Sequence, residues 1–174
     1  MSKTEENLKT AFAGESMARN KYTYFAKVAR KEGYHYIAKI FEETAENEKQ
    51  HAKDEFKLLK GIGDTKANLK AAMEGEHYET SDMYPRFAKE AKEEGNTEAM
   101  ILFMQIAKVE KEHEERYKKL LEMVEKGIVF KRDKPIKWKC SKCGHIHEGT
   151  SPPEKCPVCK HAKEYFEPAC MVFK

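Results

Sequence analysis

The chain lacks the features that mark membrane and exported proteins, and it has no excess of one charge. Its 174 residues contain no apolar run of the length that a membrane span requires. The first residues are polar and lack the apolar core of a signal peptide. Lysine and arginine total 33, aspartate and glutamate total 30, and both signs are interleaved, so that the net charge is only +3. We therefore expect a cytoplasmic protein whose main partner is neither a membrane nor a nucleic acid.

Cysteine is absent from the first 139 residues, and all five cysteines follow. Four of them form two Cys-x-x-Cys pairs with twelve residues between the pairs, Cys140 with Cys143 and Cys156 with Cys159. In a chain without an export signal, this arrangement is typical of a metal site rather than of disulfides. The spacing by itself fits iron as well as structural zinc. Cys170 stands alone and is predicted to be a free or packed thiol.

Glycine and proline are also scarce, with nine and six residues, and they help to separate four long segments. Apolar residues recur in these segments at steps of three and four, which predicts amphipathic helices. The predicted helices span residues 4–30, 34–60, 65–94 and 96–126, with short turns between them. The sequence thus predicts an all-α four-helix bundle over residues 1–130 and a small metal-bound module over residues 131–174.

Each predicted helix carries charged residues in its apolar stripe that a plain core would not use. One carboxylate interrupts the first stripe, two interrupt the third, and a Glu-x-x-His pair interrupts each of the other two. Residues three apart share one helix face, and a buried carboxylate needs a cation or a metal to offset its lost hydration. The interrupting residues are Glu15, Glu48, His51, Glu76, Glu79, Glu110 and His113.

Five carboxylates and two neutral imidazoles suit a centre of two metal ions. Their negative charge nearly balances either two divalent or two trivalent ions, so that the centre can exchange electrons without a large change in buried charge. Hard oxygen ligands with a few imidazoles favour iron or manganese over copper. The distribution of these ligands over four helices is close to the pattern of di-iron and di-manganese carboxylate bundles.

The helical region contains an internal repeat. A shift of 62 residues places one Glu-x-x-His pair on the other and matches Tyr22 with Tyr84. Glu15 matches Glu76 only at a shift of 61, so that the third helix has one extra residue between its glutamate and its tyrosine. We predict a one-residue π-bulge there, within residues 76–84.

The repeat also shows which residues lack a counterpart. Glu79 corresponds to Met17, so it is the asymmetric carboxylate and the best candidate for a mobile ligand or a proton carrier. Tyr22 and Tyr84 are predicted core residues, and their hydroxyls could hydrogen-bond to the metal-binding carboxylates.

The chain as a whole resembles the rubrerythrin family, which joins a ferritin-like di-iron four-helix bundle to a C-terminal rubredoxin-like domain. The resemblance covers nearly the full length of the chain. The motifs that carry it are AGESMAR at 13–19, EKQH at 48–51, GEHYE at 75–79, MYP at 83–85, EKEH at 110–113 and the four-cysteine module. The fold it implies is an all-α, ferritin-like four-helix bundle followed by a small four-cysteine, metal-bound rubredoxin-like β domain.

The resemblance also implies the metals and their ligands. It implies two irons held by the seven stripe residues and one iron held by the four paired cysteines, with manganese or zinc as substitutes. In the family, residues of the Glu48 and Glu110 type bridge the two irons. An iron exchanges a ligand of the Glu79 type for one of the His51 type when its redox state changes, which makes these two residues the candidate catalytic pair.

The function implied is that of a non-haem di-iron peroxidase, which reduces hydrogen peroxide to water and protects against oxidative stress. Electrons would come from a rubredoxin or a reductase through the four-cysteine iron, in a homodimer or larger homo-oligomer. Two alternatives stay open from the sequence. A ferritin-like ferroxidase or iron-storage protein explains the bundle but not the attached site, and a zinc-ribbon interaction module leaves the stripe residues unexplained.

Overall fold

A computed structural model describes residues 2–169 of the chain, so that the predicted thiol of Cys170 lies outside the described residues. The described part is mostly helical and ends in a small antiparallel sheet, which confirms the predicted fold class. Backbone packing divides the chain into two compact units, Met1–Asp64 and Thr65–Lys174. The functional division at residue 130 stays a prediction. Among the described residues, no helix is both long and apolar enough to cross a membrane.

The first unit is a helical hairpin of α1, Lys3–Lys31, and α2, His35–Leu58. The Ser2 hydroxyl accepts a hydrogen bond from the Glu5 N–H and so caps α1. Gly33 turns the chain between the helices at a positive φ of 86°, which glycine adopts without steric cost. Small side chains let the two helices approach closely. The buried residues of this hairpin are Ala26, Ala29, Ala38, Ala45 and Ala52.

The second unit begins with three helices and a π-helical segment. These elements are α3, Thr65–Tyr78, the π segment Glu79–Met83, α4, Tyr84–Glu93, and α5, Thr97–Glu125. Helices α3 and α4 both pack along α5. The Asn96 side chain accepts a hydrogen bond from the Ala99 N–H and caps α5, as the sequence suggests.

The predicted π-bulge is confirmed, because residues 79–83 form a π-helix inside the predicted third helix. The Tyr84 N–H donates to the Glu79 carbonyl, five residues back, instead of to the residue four back. Pro85 follows directly in the first turn of α4. The extra residue of the third helix is therefore absorbed locally, and the regular α-helix resumes beyond it.

The C-terminal module is a three-stranded antiparallel sheet in the order β2-β1-β3. Its strands are β1, Ile136–Cys140, β2, Ile146–Gly149, and β3, Phe166–Pro168. The small core joins Trp138 and Phe166 to two of the cysteines. The Trp138 indole N–H donates to the Gly149 carbonyl at 3.0 Å, and the Arg132 guanidinium lies over its ring. With so few apolar residues, the module depends on its four-cysteine site for stability.

Candidate metal centres

The first hairpin brings three predicted ligands together. Glu15 lies on α1, and Glu48 and His51 lie one turn apart on α2 and therefore share a face. One oxygen or nitrogen atom from each of the three lies within 4.8 Å of the others, and His51 Nδ1 is 2.8 Å from Glu48 Oε2. Two carboxylates and an imidazole at these separations can hold one metal ion.

The Glu15 carboxyl shows the electrostatic strain of this arrangement. Burial raises its pKa above the ordinary value, and the hydrogen bond and negative charge of Glu48 raise it further. The charge of Glu55 acts in the same direction, while His51 lowers the pKa. Without a cation, these carboxylates favour a shared proton, and a metal ion would replace it. The donor set therefore fits a bound cation.

Glu55 is a residue whose place at this site sequence reasoning missed. It lies four residues beyond His51 on α2, and it was not among the candidate ligands predicted from the sequence. Its charge reaches Glu15, and its Oε2 atom is buried with no hydrogen-bond partner among the described residues. The stripe itself was the signal, because residues four apart on a helix share a face.

The second unit holds a matching group of three ligands. Glu76 lies on α3, and Glu110 and His113 lie one turn apart on α5. Their ligand atoms also lie within 4.8 Å of one another. His113 Nδ1 is 2.6 Å from Glu110 Oε2 and 3.8 Å from Glu76 Oε2. This group therefore repeats the first in composition and in close packing.

The second group carries the same electrostatic signature. Burial raises the pKa of the Glu76 carboxyl, the hydrogen bond and charge of Glu110 add to it, and the charge of Glu79 adds further. Burial also raises the pKa of the Tyr84 hydroxyl, followed by the charges of Glu79, Glu110 and Glu76. Glu79 and Tyr84 thus lie within electrostatic reach of the group without being among its three closest members.

The two predicted tyrosines sit in matching aromatic clusters. Tyr22 contacts Phe25 and Phe41, with ring centroids 6.3 Å and 6.2 Å away. Tyr84 contacts Phe87 and Phe103, which follow Phe25 and Phe41 by 62 residues, with ring centroids 6.4 Å and 6.1 Å away. The internal repeat therefore extends from sequence to packing, although both tyrosines are only half-buried and their core role stays a prediction.

A further pair beside the second group was not expected from the sequence. His77 Nδ1 lies 2.9 Å from Glu114 Oε1, which links α3 to α5 next to two of the candidate ligands. Only the packing of the two helices reveals this pair, because its members are 37 residues apart.

The four paired cysteines converge in the C-terminal module. Their Sγ atoms all lie within 4.8 Å of one another, and Cys140 and Cys156 are buried whereas Cys143 is exposed. The Cys140–Cys159 and Cys143–Cys156 sulfur distances are 3.7 Å and 3.6 Å, well beyond a disulfide bond of about 2.05 Å. The arrangement is that of a tetrahedral tetrathiolate metal site.

The thiols of this cluster have widely separated pKa values. Burial opposes ionisation of Cys156, but the N–H groups of Cys159 and Val158 and the neighbouring thiols lower its pKa to about 7. The His145 N–H favours ionisation of Cys143, but burial and hydrogen bonds to the other three cysteines raise its pKa to about 12. The four thiols therefore cannot all ionise together unless a cation compensates their charge, which is what a bound metal does.

The π segment offers a direct test of the second ligand group. Deleting Ser81 should restore a regular helix and rotate Glu76 by about 100° relative to α4. Since α3 and α4 both pack on α5, the helix cannot keep both contacts and present Glu76 to Glu110. We expect metal binding by this group to be lost while helix content, measured by circular dichroism, is retained. Ser81→Ala keeps the chain length and serves as the control. An unchanged metal content after the deletion would show that the π segment does not position Glu76.

Comparisons with known proteins identify the family of the chain. The sequence profile of the rubrerythrin family matches residues 6–121, and that of the rubrerythrin rubredoxin-like domain matches residues 138–167. The chain is 51% identical to a rubrerythrin of Porphyromonas gingivalis, with 96% of this chain and 90% of the relative covered. It is 47% identical to a rubrerythrin of Nitratidesulfovibrio vulgaris, with 95% and 94% covered. A solved structure of partially reduced nigerythrin shares 38% identity and covers 97% of this chain and 87% of its own, with a TM-score of 0.38. On the strength of the family profiles and the sequence relatives, this chain belongs to the rubrerythrin family.

Proposed function

We propose that the protein is a non-haem di-iron peroxidase that reduces hydrogen peroxide to water. The observation that carries this proposal is the presence, in one chain, of two matched carboxylate–imidazole groups and a four-cysteine rubredoxin-like site. The first kind of site suits iron that changes oxidation state, and the second suits one-electron transfer. A storage protein has no need of the second site.

The proposed ligands follow from the two groups. Each group offers two carboxylates and one imidazole, so that together they can hold two ions, and Glu79 adds a seventh ligand. We assign the di-iron centre to Glu15, Glu48, His51, Glu76, Glu79, Glu110 and His113, and the third iron to Cys140, Cys143, Cys156 and Cys159. When bound and reduced, the two irons would supply the two electrons that peroxide requires.

Residues of the chain itself would supply the protons for the reaction and the environment of the metal centre. Reduction of one hydrogen peroxide consumes two electrons and two protons, breaks the O–O bond and yields two waters. Glu79 is the proposed proton carrier because it lies in the π segment, within electrostatic reach of both Glu76 and Tyr84. His51 is the more exposed imidazole of the two groups and is the proposed residue that exchanges with Glu79 as a ligand.

The proposed setting follows from the same sites. The four-cysteine iron would receive one electron at a time from a rubredoxin or a reductase and pass it to the carboxylate centre. A protein of this kind would act in the cytoplasm, as a homodimer or a larger homo-oligomer, against oxidative stress.

A stopped-flow experiment tests the proposal. Iron-loaded, anaerobically reduced protein is mixed with hydrogen peroxide, and the absorbance of the oxidised cysteine-bound iron is followed together with peroxide consumption. We expect the colour to return rapidly and in proportion to the peroxide consumed. A fast reaction with oxygen but a slow one with peroxide would favour the ferroxidase or storage function instead.

Replacing Glu79 with alanine should slow peroxide turnover by about 100-fold, the usual range for loss of a proton-transfer group. The absorbance of the cysteine-bound iron should be unchanged. Glu74→Ala is the matched control, because Glu74 lies on α3, the helix that leads into the π segment, but is exposed and pairs weakly with Lys70. Turnover by Glu79→Ala equal to that of the control would remove Glu79 from the proton path.

A further inference from the structure

The four-cysteine site is held by two loops of nearly identical construction. The loop from Cys140 to His145 and the loop from Cys156 to His161 each contain a Cys-x-x-Cys pair. In each loop the N–H of the first cysteine donates to the carbonyl five residues later, at 2.8 Å in both cases. In each loop the carbonyl of the first cysteine accepts from the N–H four residues later, which belongs to Gly144 in one loop and to Lys160 in the other.

The two loops differ in the residue at that fourth position. The backbone is left-handed there in both, with φ of 78° at Gly144 and 63° at Lys160. Glycine adopts this conformation freely, whereas the Cβ of any other residue makes it unfavourable. A Cβ added at Gly144 would meet no atom within 4 Å, so that the loop itself accepts either residue. The lysine therefore carries a conformational cost that glycine would avoid.

The side chain of Lys160 is placed over the metal-binding loop. Its Nζ donates a hydrogen bond to the carbonyl of Pro157, the residue that follows Cys156, at 2.8 Å. The ammonium group is thereby kept beside the loop that carries two of the four cysteines, although the residue as a whole is exposed. A strained residue whose side chain is tied to a metal-binding loop suggests a role in that loop.

We propose that Lys160 raises the reduction potential of the iron held by the four cysteines. Four thiolates with ferric iron carry a net charge of −1, and the uptake of one electron makes it −2. An ammonium held on the loop that carries two of the cysteines favours the more negative state and so favours reduction. Lys160 acts through the iron and does not contact a substrate. The inference rests on iron in the four-cysteine site and not on peroxide as the oxidant.

The test separates the charge from the backbone strain. The reduction potential of the cysteine-bound iron is measured by mediated redox titration, and stability by thermal unfolding of the full chain. Lys160→Gln keeps the strain but loses the charge, so it should lower the equilibrium constant for reduction by about two- to fivefold, the scale of a surface charge. For a one-electron couple this corresponds to about 20–40 mV. Lys160→Gly should lower the potential equally and also raise the melting temperature.

Two further variants serve as matched controls. Lys60 also has a positive φ, of 56°, but it follows α2 in the other unit. Lys60→Gly should therefore raise the melting temperature without changing the potential. Gly144→Lys places a lysine at the equivalent point of the other loop and should raise the potential while lowering stability.

Three results would overturn the inference. One is a Lys160→Gln potential equal to that of the unmodified protein. Another is a Lys60→Gly variant that shifts the potential as much as Lys160→Gln does. The third is the absence of the iron colour in the unmodified, iron-loaded protein. This third result would contradict the iron assignment itself, whereas either of the first two would leave the proposed peroxidase function intact.

Discussion

Replacement of Glu110 by alanine should remove the iron of the carboxylate centre and leave the four-cysteine iron in place. Glu110 is a member of the second ligand group, where its Oε2 lies 2.6 Å from His113 Nδ1 and its carboxylate also reaches Glu76. Metal analysis should show iron falling from about three to about one per chain, because in the proposed di-iron centre Glu110 bridges both ions and its loss would disable both. Peroxide turnover should fall to the background rate.

The same substitution should not unfold the metal-free protein. Glu110 is, after burial, the main cause of the raised pKa of Glu76, so its removal relieves repulsion between two carboxylates. We therefore expect the metal-free variant to melt no lower than metal-free unmodified protein. Glu112→Ala, an exposed position on the same helix, is the control and should keep all three irons. Full iron content in Glu110→Ala would contradict the ligand assignment.

Removal of the metals should lower the stability of the helical region, and the loss should depend on pH. A metal present at 100 times its dissociation constant stabilises the folded state by about 2.7 kcal/mol. For a chain of this length, that shifts the melting temperature by roughly 5–10 °C. At neutral pH we therefore expect the iron-loaded protein to melt at least this much higher than the protein stripped by a chelator.

The sign of the pH effect follows from the raised pKa values of Glu15 and Glu76. Between the ordinary carboxyl pKa of 4.5 and these raised values, the folded metal-free protein binds more protons than the unfolded chain does. The stabilising contribution of these two carboxyls should therefore be fully present below this window and decrease as the pH rises through it. The loaded protein should behave in the opposite way, because metal binding requires deprotonated ligands.

Melting curves of the loaded and stripped proteins at pH 5 and pH 7 test this expectation. The difference between the two proteins should be smaller at pH 5. Glu46 and Asp54 have lowered pKa values, and their opposite effect is confined to lower pH, below their ordinary range. In the double variant Glu15→Gln and Glu76→Gln, the metal-free protein should lose its pH dependence in this window. Equal melting temperatures for loaded and stripped protein at pH 7 would mean that no metal offsets the repulsion between the half-buried carboxylates.

The π segment was predicted by comparing the two halves of the internal repeat. The mismatch between shifts of 61 and 62 residues predicted an extra helical residue, and residues 79–83 form a π-helix. The prediction succeeded because a one-residue insertion in a long helix has few outcomes that keep the apolar stripe on one side. The position of Glu55 was not predicted, because its approach to Glu15 depends on how α1 and α2 pack.

The sequence alone determined the ligand pairs that are close along the chain. Each Glu-x-x-His pair and each Cys-x-x-Cys pair is set by the periodicity of one helix or the geometry of one loop, and local geometry follows from local sequence. The order of the helices along the chain follows from the same short-range rules, whereas the π segment was predicted from the internal repeat and the rubredoxin-like module from the family resemblance. The family resemblance, which the comparisons bear out, rests on these motifs.

Only the tertiary structure determined which residues distant in sequence come into contact and how these contacts shift their pKa values. Glu15 reaches Glu48 across the hairpin, and His77 pairs with Glu114 between α3 and α5, because helix packing sets distances that periodicity leaves free. Helix packing also raises the pKa values of the carboxyl groups, because burial and repulsion depend on every neighbour in space. The left-handed backbone of Lys160 was likewise invisible in the sequence, because the hydrogen bonds of the folded loop impose it on whatever residue stands there.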